Sequence, residues 1–241
     1  MTDSSRLLPI PQSRAPAPGA LRRRFSNAVI FLRRGAFSEL WMPFWQRVYS
    51  NVGFTALHRD LGSSAQVEPP RIPLRIRQYM VGDECELLDV GARGLSAADV
   101  RACVSRRRLL AEGIGNCFVA VTETGRPCYI QWAIWPEESD RLRRFSDGFF
   151  PPVLSGEVLL EGAFTAPHAR GHGVMGWAQA EIAIIAGRSG ASHAWTYVAD
   201  DNVASLKGSA RAGFSPAAHQ LECWRAFRHS IRSREPAGQD R

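Results

Sequence analysis

One stretch, residues 157–214, constrains the fold more than any other part of this chain. An apolar run, Glu157-Val158-Leu159-Leu160-Glu161-Gly162-Ala163-Phe164-Thr165, leads into a turn holding Arg170, Gly171, His172 and Gly173. An amphipathic segment follows to about Ala186, then a strand-like stretch over 192–198, then a short helical segment from Asn202 that stops at Gly213-Phe214. Strand, glycine turn and helix in that order make an anion site. Glycine lets the backbone bend and approach a ligand closely, and the start of a helix offers unpaired N–H groups at its positive dipole end. The spacing therefore predicts a site for a phosphate or pyrophosphate at residues 170–175.

These residues together resemble the GCN5-related N-acetyltransferase (GNAT) family, whose fingerprint is Arg/Gln-x-x-Gly-x-Gly/Ala between the fourth strand and the third helix. Arg170 and Gly173 match it; Met175 departs from it, standing where the family has Gly or Ala. Asn202, Ser205 and Gly213-Phe214 are similar to the family's Asn-x-x-Ser…Gly-Phe segment. The resemblance implies an α+β fold, a mixed and mostly antiparallel sheet flanked by helices, in which the fourth and fifth strands are parallel and splay apart around the pantetheine arm of acetyl-CoA. It implies an acyl-CoA, acetyl-CoA foremost, as co-substrate. Phe164, Thr165, Arg170, Gly171, His172, Gly173, Val174, Met175, Asn202 and Ser205 would hold it, with backbone amides from Gly171 to Met175 on the pyrophosphate. His172 adds charge only when protonated. Asp201 or Asn202 also reads simply as the cap of its helix.

N-acyl transfer needs a base for the incoming amine and is helped by an acid for the leaving thiolate. In the family a Glu on the fourth strand often serves as base. Glu157 and Glu161 both qualify, and four residues apart on a strand they share a face. Burial would raise either carboxyl toward neutrality. The family's usual acid, a Tyr five residues before the phenylalanine of the Gly-Phe pair, is replaced by Ser209. Tyr197 is the nearest alternative, with His193 behind it. A second reading is a non-catalytic acyl-CoA-binding or scaffold protein, which the Ser209 and Met175 departures favour. The acceptor is expected to be an amine on a small or carrier-linked molecule, for instance an amino sugar.

The rest of the chain is read around this segment. At 241 residues it exceeds the roughly 150 of one such domain, and the surplus is N-terminal. Residues 1–19, rich in Pro, Ser and Arg, read as a disordered tail. Residues 20–71 read as a basic, amphipathic helical extension and linker: Leu21, Phe25, Ala28, Val29 and Leu32 share a helical face, and a second aromatic segment runs over 37–52. Val52 to Arg59 also suits a strand. The acyltransferase-like domain is expected over 72–230, with helices at 82–91 and 96–112 (Ser96 as cap), a hairpin of 117–122 with 128–135, and a polar loop over 136–156. A polar tail follows from about 230.

Residues 1–80 hold 12 arginines against 4 acids, while the remainder is nearly balanced, so the net charge of +7 belongs to the extension. Two roles suit it: lying on an anionic membrane surface through residues 20–50, or packing as a collar on the domain or on a second subunit in a homodimer. Clustered arginine also gives phosphate affinity, but no nucleic-acid-binding motif accompanies it. Cys85, Cys103, Cys117, Cys128 and Cys223 are scattered, with no Cys-x-x-Cys pair. Buried inert thiols are expected rather than a disulfide framework or a metal site, in a reducing cytoplasm.

Overall fold

The computed structural model describes residues 45–63 and 67–234. Residues 1–44, which carry the expected tail and the first part of the expected extension, lie outside the described residues, as do 64–66 and 235–241. Among the described residues, eight strands form one sheet: β1 (Tyr49–Asp60), β2 (Leu74–Gln78), β3 (Asn116–Thr122), β4 (Pro127–Ile134), β5 (Glu157–Thr165), β6 (His193–Ala199), β7 (Ser215–Arg225) and β8 (Arg228–Arg234). Flanking it are the helices α1 (Asp83–Leu87), α2 (Ala97–Glu112), α3 (Ser139–Phe145), α4 (Val174–Arg188) and α5 (Val203–Arg211). The strand order is β2-β3-β4-β5-β6-β1-β7-β8. Neighbours run antiparallel except β5 and β6, which are parallel. This is the mixed α+β architecture expected.

The sheet has two buried faces because its central strands are apolar on both sides. Every residue of β4 is buried. Tyr129 and Ala133 face a core built with Val158, Leu160 and the α4 residues Val174, Ala178, Ile182 and Ala183. Ile130, Trp132 and Ile134 face the opposite core with Leu109 of α2, Leu142 of α3, Leu159 and Phe164. That alternation is the pleat of a strand covered by helices on both faces. The β3–β4 hairpin closes through Gly125 at φ 83°, where Thr122 N–H donates to Arg126 O at 2.9 Å. Ser96 caps α2 in a full capping box with Asp99, satisfying the first amides of the helix.

Three expectations change. Residues 49–60, counted with the extension, form β1, which lies inside the sheet and pairs with β6 on one side and β7 on the other. The sheet therefore begins well before residue 72. Ala56 and Leu57 are buried there, and Phe54 packs edge-on against Phe149 at 4.7 Å. Next, the 136–156 segment is not simply a loop: Pro136 starts a short 3-10 turn and α3 follows, anchored by buried Leu142. Finally, the polar stretch after residue 230 continues β8 to Arg234, because a sheet edge accepts a charged strand with only its inward side chains half-buried.

Candidate functional site

β5 and β6 pair only where Glu157, Val158 and Leu159 face His193, Ala194 and Trp195. Beyond Leu159 the two strands no longer pair, although β5 runs on to Thr165 and β6 to Ala199. A gap thus opens in the middle of the sheet toward the carboxyl ends of both strands. In an open sheet with parallel strands, such a parting at the carboxyl ends is where ligands enter.

The far half of β5 is irregular. Its register with β4 jumps from the Trp132–Glu161 pair to the Ile130–Phe164 pair, so β5 carries one residue more than its partner. This is a bulge, and Gly162 makes it with φ 73°. Arg106 of α2 holds the bulge: its Nε donates to Gly162 O at 3.1 Å and its Nη2 to Ala163 O at 3.0 Å. Glu161 sits beside them, enclosed by the fold yet with part of its surface open. Burial pushes its carboxyl up; a backbone hydrogen bond from Gly162 and the Arg106 charge oppose this without cancelling it. On the other side of β4, fully buried Tyr129 donates to Gln131 Oε1 at 2.7 Å, and burial pushes its hydroxyl far up. Gln131 Nε2 is buried without a hydrogen-bond partner.

Glu157 and Glu161, equivalent in sequence, part ways here. Both Glu157 oxygens are engaged: Trp195 Nε1 donates to Oε1 at 3.0 Å and Leu154 N–H to Oε2 at 2.9 Å. Glu157 ties the loop before β5 to β6. Tyr197 packs edge-on against Phe149 and Phe150, with centroids 6.0 and 5.5 Å away, and burial pushes its hydroxyl up to about 12. His193 Nδ1 lies 3.2 Å from His58 Nε2 of β1. Ser209 is fully buried and donates to Gln179 Oε1 at 3.0 Å, in the contact between α4 and α5. It sits between helices, not in the gap.

At the carboxyl end of β5, Phe164 is buried and Thr165 half-buried, and a short turn leads to Arg170. Arg170 Nη1 and Nη2 grip Asp99 of α2 at 3.3 and 2.6 Å while its Nε donates to Thr165 O. The motif arginine therefore braces the turn against α2. Gly171 and Gly173 take φ of 80° and 77°, and a Cβ on Gly171 would meet nothing within 4 Å. No side chain caps α4, unlike α2, so its first amides have only the turn before them. Val174 is buried in the core, and half-buried Met175 packs against Gly208 of α5. His172 is half-buried, and its carbonyl accepts the Arg71 N–H at 2.9 Å. Asn202 caps α5, accepting Ser205 N–H at 3.2 Å.

The structure thus gathers Glu161, Phe164, Thr165 and residues 170–175 along β5 and the turn after it, and sets Asn202 and Ser205 at the end of β6. Glu157 and Tyr197 are occupied in packing on β5 and β6. Arg106 and Asp99 were missed: an arginine and an aspartate on a helix read as a solvated face. Gly162 was the one available signal, since a glycine inside an apolar strand marks a bulge. Among the described residues no cluster of His, Cys, Asp or Glu is arranged to hold a metal ion, and no helix is long and apolar enough to cross a membrane.

No protein-family model matches the sequence, and no curated protein does. Among solved structures, the chain is similar to a GCN5-related N-acetyltransferase from Sphaerobacter thermophilus (12% identity, 81% of this chain, 56% of that one, TM-score 0.45). It is also similar to an acetyltransferase of the GNAT family from Colwellia psychrerythraea (16% identity, 72% of this chain, 55% of that one, TM-score 0.46). A third is a tandem GNAT protein from the clavulanic acid biosynthesis pathway (16% identity, 84% of this chain, 59% of that one, TM-score 0.45). The chain spans little more than half the length of each.

Proposed function

We propose that this protein is an acyl-CoA-dependent N-acyltransferase, with acetyl-CoA as the donor and an amine as the acceptor. One observation carries the reading: β5 and β6 separate after Leu159, and the gap runs from Glu161, past the Gly162 bulge, to the uncapped start of α4. A long thin ligand with a polyanionic end suits that path. Its pyrophosphate would lie on the amides after Gly171 and Gly173, which the lack of side chains leaves accessible. Its thioester would lie beside the bulge.

The reaction is direct. The amine nitrogen attacks the thioester carbonyl carbon and forms the C–N bond. A backbone N–H of β5 steadies the oxyanion. Collapse breaks the C–S bond and releases CoA as thiolate. Glu161 takes the proton lost by the attacking nitrogen, a task suited to a carboxyl raised toward neutrality by burial. The thiolate takes its proton from water, since Ser209 is sealed between α4 and α5 and Tyr197 holds its proton tightly.

Calorimetric titration with acetyl-CoA, CoA and a longer acyl-CoA tests the reading. Saturable binding in the micromolar range is expected, strongest for the matching acyl chain. Absence of heat with all three would reject it.

A further inference from the structure

Two consecutive carbonyls of β5, those of Gly162 and Ala163, accept hydrogen bonds from one side chain, Arg106. In a regular strand successive carbonyls point to opposite sides. Here both turn to α2, which the positive φ of Gly162 and the extra residue of the bulge permit. In a trans peptide the N–H lies opposite the C=O. The Ala163 amide is therefore turned away from Arg106, on a part of β5 that no longer pairs with β6.

We propose that Arg106 is the positioning residue of this site: gripping both carbonyls, it fixes the bulge, aims the Ala163 N–H at the thioester oxygen, and keeps a positive charge beside Glu161. The inference rests on the acyl-CoA reading above. The other titratable groups around Glu161 do not share the charge role. Tyr129 of β4 is neutral because burial raises it far above its ordinary value. Cys103 of α2, beside Arg106, is a neutral thiol, pushed up to about 11 by burial. Glu157, on the same face of β5, is bonded to Trp195 and Leu154. Arg106 also reaches Ala102 O at 3.4 Å within its own helix, which steadies the side chain. It stays charged although burial lowers its pKa.

The test uses the full chain and two variants. Arg106→Met removes donors and charge; Arg106→Lys keeps the charge but cannot span both carbonyls. The titration of Glu161 is followed by carboxyl ¹³C NMR, assigned with Glu161→Gln, and acetyl-CoA and CoA binding by calorimetry. In Arg106→Met the Glu161 midpoint should move to higher pH, while Arg106→Lys leaves it near wild type. Both variants should bind acetyl-CoA about tenfold more weakly, the loss of one well-aimed amide hydrogen bond to the thioester oxygen, with CoA affinity unchanged. An unmoved Glu161 midpoint in Arg106→Met, or wild-type acetyl-CoA affinity in Arg106→Lys, overturns the proposal. Should the Met variant not fold, the Lys variant decides alone by its acetyl-CoA affinity. If wild type binds neither ligand, the acyl-CoA reading fails, and the titration still decides whether Arg106 governs Glu161.

Discussion

A Cβ on Gly162 would lie 2.7 Å from Cε3 of buried Trp132 and 3.2 Å from Leu109 Cδ1. Neither neighbour has room to retreat, and φ is positive as well. Gly162→Ala should therefore destabilise the protein by about 2–4 kcal/mol, overpacking and left-handed strain together. A thermal melt checks this. A melt within a degree or two of wild type would mean that the bulge is softer than its contacts indicate.

The two strand glutamates should separate in kinetics. With an acceptor in hand, Glu161→Gln should lower kcat by about 10²- to 10⁴-fold, the usual loss of a general base. Glu157→Gln should leave kcat within about tenfold, because its carboxylate binds Trp195 and Leu154 rather than substrate. Equal losses in the two variants would contradict the assignment.

Glu161 also makes a pH prediction about stability. Its folded pKa is raised, so the native state binds the proton more tightly than the unfolded chain. Stability should then fall as pH rises from the ordinary Glu range through the raised value. Glu161→Gln should melt higher than wild type at neutral pH, with the difference vanishing in acid. Melts across pH 4–8 would show it.

Asp99 should behave in the opposite sense. Burial alone would raise its carboxyl, but hydrogen bonds from Arg170 and Ser96 hold it below its ordinary value. Its contribution is present above the unfolded pKa and lost as pH falls through the folded one. Asp99→Asn should cost about 1 kcal/mol, mostly through the α2 cap, because Arg170 is 44% exposed and water screens the pair. A shallower acid limb of the stability curve in this variant is the check, since Asp83 and Glu84, also held below their ordinary values, keep their share of it.

Deletion of residues 1–60, which removes β1, should abolish folding. Without β1, seven residue pairs with β6 and ten with β7 vanish from the middle of the sheet. Circular dichroism of the truncated protein against the full chain checks this: a native-like spectrum would contradict it.

Much of this was legible in the sequence where the determinants are local. Ser96 as a helix cap, the Thr122–Pro127 hairpin turn, and Gly171 and Gly173 each act within a few residues, and each was readable. The place of β1 was not, because nothing near Tyr49–Asp60 tells which strands it will join. Glu157 and Glu161 share a face and a chemistry; what tells them apart is the Trp195 indole and Leu154 amide on one, and burial beside Arg106 on the other. Ser209 stood at the family's acid position, but its burial against Gln179 comes from the close approach of α4 and α5. That approach also gives Met175 its room: a Cβ on Gly208 would fall 2.9 Å from Met175 Sδ.

The central position of β1 has a consequence for how the protein is made. β1 leaves the ribosome ahead of its sheet partners, but the side chain of His58 meets its neighbour His193 only after 135 further residues. Until β6 and β7 emerge, a half-apolar strand waits without partners on either edge. Closure of the sheet is therefore a late, long-range event, which slows folding and leaves that strand open to mispairing with other nascent copies. Synthesis at lower temperature or with chaperones in excess should raise the soluble yield for this reason, apart from any change in the stability of the finished fold.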